Sequence, residues 1–133
     1  MINKHLNYQK IIADTCIWIE FLKNNPVFFT PMQDLLEKNN IFAVECIFGE
    51  LLQGAKSKRE IELITAYWNI LPKLNEENIW IEAGMYSGEK NFFEKGIGFI
   101  DSVLLVLSLK NNLKIWTIDK KLSSLLLPGQ IYS

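Results

Sequence analysis

The chain has 133 residues, 49% of them apolar and 22% charged, which is enough for one domain with a substantial core and too short for two. Its net charge of −1 excludes a protein that holds nucleic acid through an overall positive charge, although a basic rim around one site would still allow a nucleic-acid enzyme. We therefore expect a single domain that covers residues 1–133.

No segment of the sequence is typical of secretion or of membrane insertion. The N-terminus lacks a positively charged start followed by an apolar stretch. The longest uninterrupted apolar run, Val103–Leu107, is far shorter than the ~18 residues that a membrane span needs. Cys16 and Cys46 lie in apolar runs and are predicted to be small buried core residues in a reducing compartment. The only histidine, His5, lies in a polar segment, which argues against zinc. These features predict a cytoplasmic protein.

Short apolar runs and helical patterns alternate in the N-terminal half. The break at Asn24-Asn25-Pro26 ends the first helix, and Thr30-Pro31 reads as a cap followed by proline at the first position of the next helix. In chain order we expect an irregular start, a buried strand, two helices, a second strand and a further helix: Met1–Gln9, Lys10–Asp14, Thr15–Leu22, Thr30–Asn39, Ile41–Val44 and a helix from Glu45.

The C-terminal half is mainly helical up to a last buried strand. Ser57 and Glu60 have the spacing of a capping box, and Asn111-Asn112 ends the apolar helix that Asp101 opens. In chain order the predicted elements are three helices, a buried strand and an edge strand: Ser57–Asn69, Glu76–Glu94, Asp101–Asn111, Lys114–Ile118 and Gln130–Tyr132. The alternation predicts an α/β domain whose small central parallel sheet is covered by helices on both faces.

Four acidic residues occupy similar positions at the ends of these elements. Asp14 and Asp119 lie at the carboxyl ends of predicted strands, Asp101 opens a helix, and Glu50 lies one turn into another helix. In sheets of this kind ligands gather at the carboxyl ends of the strands, where only the fold could bring these distant acids together. Neighbouring carboxylates repel one another unless a cation lies among them. Hard divalent cations such as Mg²⁺ and Mn²⁺ prefer oxygen ligands, so the pattern indicates a divalent-metal site.

Other catalytic arrangements find little support in the sequence. A single histidine in the N-terminal segment rules out Ser-His-Asp and Cys-His pairs, and neither a Walker A loop nor a G-x-G-x-x-G loop is present. A phosphatase of the haloacid dehalogenase type would need an aspartate two positions after Asp14, where this chain has Cys16. Metal-assisted hydrolysis is the reaction that the four acids favour.

Several segments resemble the PIN domain, and VapC-type toxins in particular: IADTCIWIEFL (12–22), ELLQGA (50–55), Asp101 with its apolar helix, and TIDKKL (117–122). The resemblance covers nearly the whole chain. It implies an endoribonuclease that depends on Mg²⁺ or Mn²⁺ and cuts structured cellular RNA such as tRNA or rRNA. It also implies a cognate antitoxin that blocks the site, in a type II toxin-antitoxin pair, and a homodimer.

The resemblance assigns roles to six residues. Asp14, Glu50, Asp101 and Asp119 match the four family acids, and would bind the metal and carry the catalysis, with Thr15 and Thr117 in support. Lys120 is expected to support them by phosphate contact, because it adjoins Asp119. The chain departs from the family after Asp101, where small residues are usual and this helix has Leu104, Leu105 and Val106.

Alternative interpretations remain open for several of these residues. Asp14 and Asp101 would also serve as plain helix caps, since acids favour that position. A catalytically inactive PIN-like RNA-binding or adaptor protein would keep the acids for structure alone. Trp18 and Trp80 are more typical of a core or a dimer interface than of base stacking. The segment around Trp18, with the Thr30–Asn39 helix, is a candidate antitoxin groove.

Overall fold

The computed structural model describes residues 9–133. Within them, two strands form a short sheet, β1 (Ile11–Ala13) and β2 (Lys114–Trp116). The helices of this part of the chain, α1 to α7 in order, are Thr15–Leu22, Pro26–Glu37, Glu45–Gly54, Lys58–Ile70, Ile79–Lys90, Phe99–Asn111 and Lys120–Leu125. A 3₁₀ turn follows at Pro128–Gln130. The predicted irregular start and His5 lie outside the described residues, apart from Gln9.

The sheet is parallel and is wider than its two strands suggest. β1 pairs with β2 in the register that sets Ile12 opposite Ile115. Isolated parallel bridges continue the order on both sides: Ile11 with Ile41, Ala43 with Lys73, and Ile115 with Ile131. The predicted strands at Ile41–Val44 and Gln130–Tyr132 are therefore present as single bridges rather than as full strands. Parallel neighbours need long crossover connections, and the helices supply them.

The core is built from the sheet and from one face of α1. Ile11, Ile12 and Ile115 are completely buried, as expected for strands covered on both sides. Trp18 is also buried, with only 1% of its surface exposed, and its ring packs edge-on against Phe21 and Phe48. The Trp18 indole itself therefore offers no surface to a partner, and the antitoxin groove predicted near it and along the Thr30–Asn39 helix stays a prediction.

Helix α6 runs through the middle of the domain. Every residue from Ser102 to Ser108 is buried, which fits a helix that is apolar on all sides. Leu104, Leu105 and Val106, which depart from the small residues usual after Asp101, are thus core side chains. Within the described residues no helix is long and apolar enough to cross a bilayer.

Two helices differ from the sequence prediction at their ends. Helix α2 begins at Pro26 rather than at Thr30, because the Asn25 side chain caps it by accepting the Val27 N–H at 3.2 Å, and Pro31 lies inside it. Helix α5 spans Ile79–Lys90 rather than Glu76–Glu94. It is bounded by Asn78 and Asn91 in the left-handed conformation, which asparagine tolerates better than most residues.

Candidate active site

The four acids predicted as a site all line one cleft of about 330 Å³ at the carboxyl ends of β1 and β2. Asp14 follows β1 directly and caps α1, while Asp119 follows β2 and caps α7. Asp101 lies in the first turn of α6, and Glu50 lies in the middle of α3. Four separate elements therefore deliver their carboxylates to the same space, as the parallel topology predicts.

Thr117 connects the two acids that follow the strands. Its hydroxyl donates to Asp14 Oδ2 at 2.7 Å and accepts the Asp119 backbone N–H at 3.0 Å. The same Asp14 oxygen is contacted by the Cys16 thiol at 3.7 Å, and Asp14 Oδ1 accepts the Thr15 N–H at 2.8 Å. The Asp14 carboxylate is therefore held in one orientation from both sides, which is what a preorganised site requires.

Thr15 and Glu50 form a second contact across the cleft. The Thr15 hydroxyl donates to Glu50 Oε1 at 2.7 Å, and joins the start of α1 to α3. Thr15 and Thr117, suggested from the sequence as supporting residues, thus contact Glu50 and Asp14, respectively. The network is local in space but spans 103 positions of the chain.

The carboxyl group of Asp101 is repelled by the other three acids of the cleft. Burial raises its pKa to about 6, and repulsion from Asp119, Asp14 and Glu50 contributes in the same direction, while Lys121 lowers it. A raised pKa of this kind means that the negative form is poorly compensated by the protein alone. Such a site favours the binding of a cation, whose positive charge would offset the negative charge of the Asp101 carboxylate.

No lysine or arginine in the described part of the chain neutralises these acids by direct contact. The ion pairs of residues 9–133 all lie elsewhere: Lys23 with Glu20, Lys38 with Asp34, and Lys110 with Glu82. The cation whose charge acts on Asp101 is Lys121, whose Nζ donates to the Gly96 carbonyl at 3.1 Å. The sequence had favoured Lys120, which is exposed and for which a role in phosphate contact stays a prediction.

Cys16 is the cleft residue that sequence reasoning missed. It is half-buried and lines the cleft, whereas both cysteines were expected to be buried in the core. Burial raises the pKa of its thiol, so Cys16 stays protonated at neutral pH. Its position directly after Asp14-Thr15 was the available signal, because a residue two places beyond a strand-end acid, in the first turn of the next helix, can face the same edge.

The donor set fits a hard divalent cation that keeps much of its water. Within residues 9–133 no three acidic, histidine or cysteine side chains are arranged to hold one ion together. Mg²⁺, however, is usually held by one or two carboxylates and several waters, so a complete protein cage is not required. The oriented carboxylate of Asp14 and the poorly compensated one of Asp101 are the donors that fit best.

The family follows from comparison with known proteins. A family model described as PIN domain matches residues 11–125. The chain belongs to the PIN domain family. The predicted PIN fold, helical with a small parallel sheet, is thereby confirmed. PIN domains are generally nucleases, and these nucleases generally use divalent metals.

A solved structure is similar to this PIN domain over almost its whole length. It is a chain in the crystal structure of VapBC2 from Rickettsia felis bound to a DNA fragment from their promoter. The TM-score is 0.65 at 18% sequence identity, over 92% of this chain and 96% of that chain. At this identity the likeness concerns the fold. No curated protein matches the sequence.

Proposed function

We propose that this PIN domain is an endoribonuclease dependent on Mg²⁺ or Mn²⁺ that hydrolyses phosphodiester bonds in cellular RNA, such as tRNA or rRNA. Asp14, Glu50, Asp101 and Asp119 carry the reaction, with Thr15, Thr117 and Lys120 in support. We further propose that it acts in the cytoplasm as the toxin of a type II toxin-antitoxin pair, and that it forms a homodimer.

The observation that carries the proposal is a set of four carboxylates that face one cleft without a cationic partner at contact distance among residues 9–133. A protein gains nothing in stability from such an arrangement, since like charges at short range destabilise the folded state. The arrangement is useful when the cleft binds a divalent cation and, through it, a phosphodiester. The raised pKa of Asp101 supports the same reading.

The residues of the chain have separate tasks in this scheme. A bound divalent ion would neutralise charge on the scissile phosphate and activate a water for attack. Asp14 and Asp101 would hold that ion, while Thr117 and Thr15 keep Asp14 and Glu50 oriented toward it. Ile19 and Ile100 line the cleft beside the acids. Lys120 and Lys121 directly follow Asp119 in the sequence. Their positive charges would attract the phosphate backbone of the RNA.

The toxin role is supported by the solved relative. That structure is VapBC2 from Rickettsia felis bound to a DNA fragment from their promoter. A matching fold over almost the whole of both chains is what a toxin of the same type would have. We therefore propose a cognate antitoxin for this chain, expected as a short reading frame beside its gene with a DNA-binding N-terminus.

Metal removal tests the nuclease proposal directly. Purified protein incubated with total cellular RNA should produce discrete fragments with Mg²⁺ or Mn²⁺ and none with excess EDTA, and the activity should return when the ion is restored. Mn²⁺ should also raise the melting temperature of the protein alone, because an ion that binds only the folded state stabilises it. Intact RNA under all these conditions, together with an unchanged melting temperature, would exclude the proposal.

A second candidate is a catalytically inactive PIN-like RNA-binding or adaptor protein. It is favoured by the lack, within residues 9–133, of three side chains arranged around a single ion position. In that case RNA would bind without being cut, and replacing all four acids together would leave RNA affinity unchanged. The two candidates thus differ in the effect of the acids on RNA affinity as well as in turnover.

The Thr117 hydroxyl should matter more for activity than for stability. Thr117→Val removes the donor to Asp14 Oδ2 and the acceptor for the Asp119 N–H with little change in shape. We expect kcat to fall by about tenfold, or ~1.4 kcal/mol, which is the size of the hydrogen bond to Asp14 Oδ2 that orients this carboxylate. Thr117→Ser keeps the hydroxyl and should stay near the wild-type rate. Equal rates for the Val and Ser variants would show that the hydroxyl does not orient Asp14.

A further inference from the structure

We propose that the groove around Trp80, next to the acid cleft, holds one unpaired nucleobase of the RNA, stacked on the Trp80 indole. This inference rests on the proposed ribonuclease function and narrows its substrate class. The substrate would be RNA with an unstacked base close to the bond that is cut, in a loop, bulge or single strand rather than in a regular duplex.

The groove borders the acid cleft. It has a volume of about 520 Å³ and is lined mainly by Glu45, Gly49, Glu50, Glu76, Trp80 and Ile100. Glu50 and Ile100 also line the cleft itself, so the two spaces share a wall. The volume lies in the range of sites that hold small organic ligands. A base that left the stack beside a phosphate held in the cleft would lie next to this groove.

Trp80 presents a fixed aromatic surface in this groove. About half of the side chain, 49%, is exposed, which is unusual for so large an apolar group. Its ring packs edge-on against Phe99, with the centroids 5.5 Å apart and the planes at 63°. Phe99 begins α6 two positions before Asp101, so the contact couples the indole to the helix that carries this acid. A rigid aromatic side chain open to solvent is a stacking platform for any base, because every base has a π-face.

The charges around the groove favour a base over a phosphate. Glu76 Oε2 accepts the Glu45 backbone N–H at 3.1 Å, and both side chains line the groove with Trp80. Burial raises the pKa of Glu76; the Glu45 backbone N–H lowers it and the Glu45 charge raises it. Carboxylates repel phosphate oxygens, yet they accept hydrogen bonds from the amino groups on base edges.

A second groove, which Glu50 also lines, carries lysines. It has a volume of about 360 Å³, and Lys23 and Lys56 line it together with Glu50 and Glu60. Ile19 and Glu50 belong to both this groove and the acid cleft, so it too borders the cleft. Lysines attract the phosphate backbone, whereas Glu45, Glu50 and Glu76 line the Trp80 groove.

Binding experiments in an Asp14→Asn background test the inference without cleavage. The probes are a labelled, unstructured 12-nucleotide RNA of random sequence and a fully paired duplex of the same length, both in Mg²⁺, with RNA integrity checked on a gel. We expect the single strand to bind at least about tenfold tighter than the duplex and to quench tryptophan emission. Trp80→Ala should weaken single-strand binding by about tenfold or more, the range reported for the loss of one stacked base.

Two further variants control for general effects. Trp80→Phe keeps an aromatic face and should retain most of the affinity while losing the quenching. Ile81 lies beside Trp80 on α5 and is 66% exposed. The Ile81→Ala variant should therefore bind the single-stranded RNA as tightly as the parent protein does. The inference fails if Trp80→Ala binds the single strand as tightly as the parent, or if the parent does not bind it at all.

A protein partner for Trp80 would give a different result. If Trp80→Ala converts a dimer to a monomer and leaves RNA affinity unchanged, the indole is an interface residue and the inference is overturned. Failure of the ribonuclease proposal is recognised separately, because it is read from cleavage by the wild-type chain in Mn²⁺ and not from these affinities.

Discussion

Replacing Asp14 by Asn is expected to reduce RNA cleavage by at least about a hundredfold while leaving the fold intact. The loss follows from the metal's share of catalysis, several kcal/mol, most of which disappears when an ionised ligand becomes a neutral amide. The fold should survive because asparagine is as good a helix N-cap as aspartate, and its side-chain oxygen can still accept the Thr15 N–H. Single-turnover rates on a defined RNA in Mg²⁺ measure the effect.

A matched control separates the cleft from charge in general. Asp34 lies on α2, pairs with Lys38 at 3.1 Å and takes no part in the cleft. Asp34→Asn removes the same charge and should cleave at the wild-type rate. A nuclease activity that survives in Asp14→Asn, with circular dichroism and melting temperature unchanged, would mean that Asp14 is only the cap of α1.

Replacing Asp101 by Asn is expected to abolish most of the activity and, without divalent ions, to make the protein more stable near neutral pH. The pKa of this carboxyl is about 6 in the folded protein, because of burial and then of repulsion from the other acids, against an ordinary value of 3.8. The folded state therefore binds the proton more tightly than the unfolded chain does. The associated stability is complete below pH about 4 and is lost as the pH rises through about 6.

The asparagine variant does not titrate at this position and imitates the protonated acid. Its free energy of unfolding in EDTA should match that of the wild type at pH 4 and exceed it at pH 7.5. We expect a difference of about 1 kcal/mol, since the full shift corresponds to ~3 kcal/mol and the group is about half exposed to screening solvent. Urea denaturation at both pH values measures it. A difference that does not depend on pH would contradict the electrostatic account.

These two acids show how a binding site costs stability. Asp101 is held where its charge is unfavourable, beside three like charges, and no ion pair in the described part of the chain offsets it. Asp14 has its hydrogen bonds satisfied by Thr15, Thr117 and Cys16 and is oriented rather than strained. Adding Mg²⁺ should therefore stabilise the wild type and leave Asp101→Asn almost unaffected.

Three of the site acids could be selected from the sequence because each lies at a recognisable local boundary, whereas Glu50 lies inside α3 and was matched through the ELLQGA segment. Asp14 and Asp119 end apolar runs of strand type, and both prove to cap the helix that follows. Thr117 could be suggested only from family resemblance, since its two hydrogen bonds reach across the chain. The sequence could not distinguish Lys120 from Lys121, because the direction of each side chain depends on how α7 is rotated against the loop at Gly96.

The helix and strand boundaries that the sequence predicted wrongly have local causes. Asn25-Pro26 was read as a break, but the same residues are a cap and a first helical position, so α2 starts there and accommodates Pro31. Ile41–Val44 has strand character, but the chain keeps only the bridges at Ile41 and Ala43. The sequence also could not predict whether Trp80 is buried or exposed, because hydrophobic periodicity does not distinguish a core aromatic residue from one that lines a groove.

By itself, the sequence determined the α/β alternation, the positions of most helices and the four acids, because hydrophobic period, caps and turn residues act over a few neighbouring positions. Only the tertiary structure decided which side chains meet. Several features depend on how separate elements are rotated and stacked against one another. These are the 330 Å³ cleft, the presence of Cys16 in its lining, the Thr15–Glu50 and Thr117–Asp14 contacts and the groove at Trp80. That rotation is set by packing of the whole core, which no local pattern encodes.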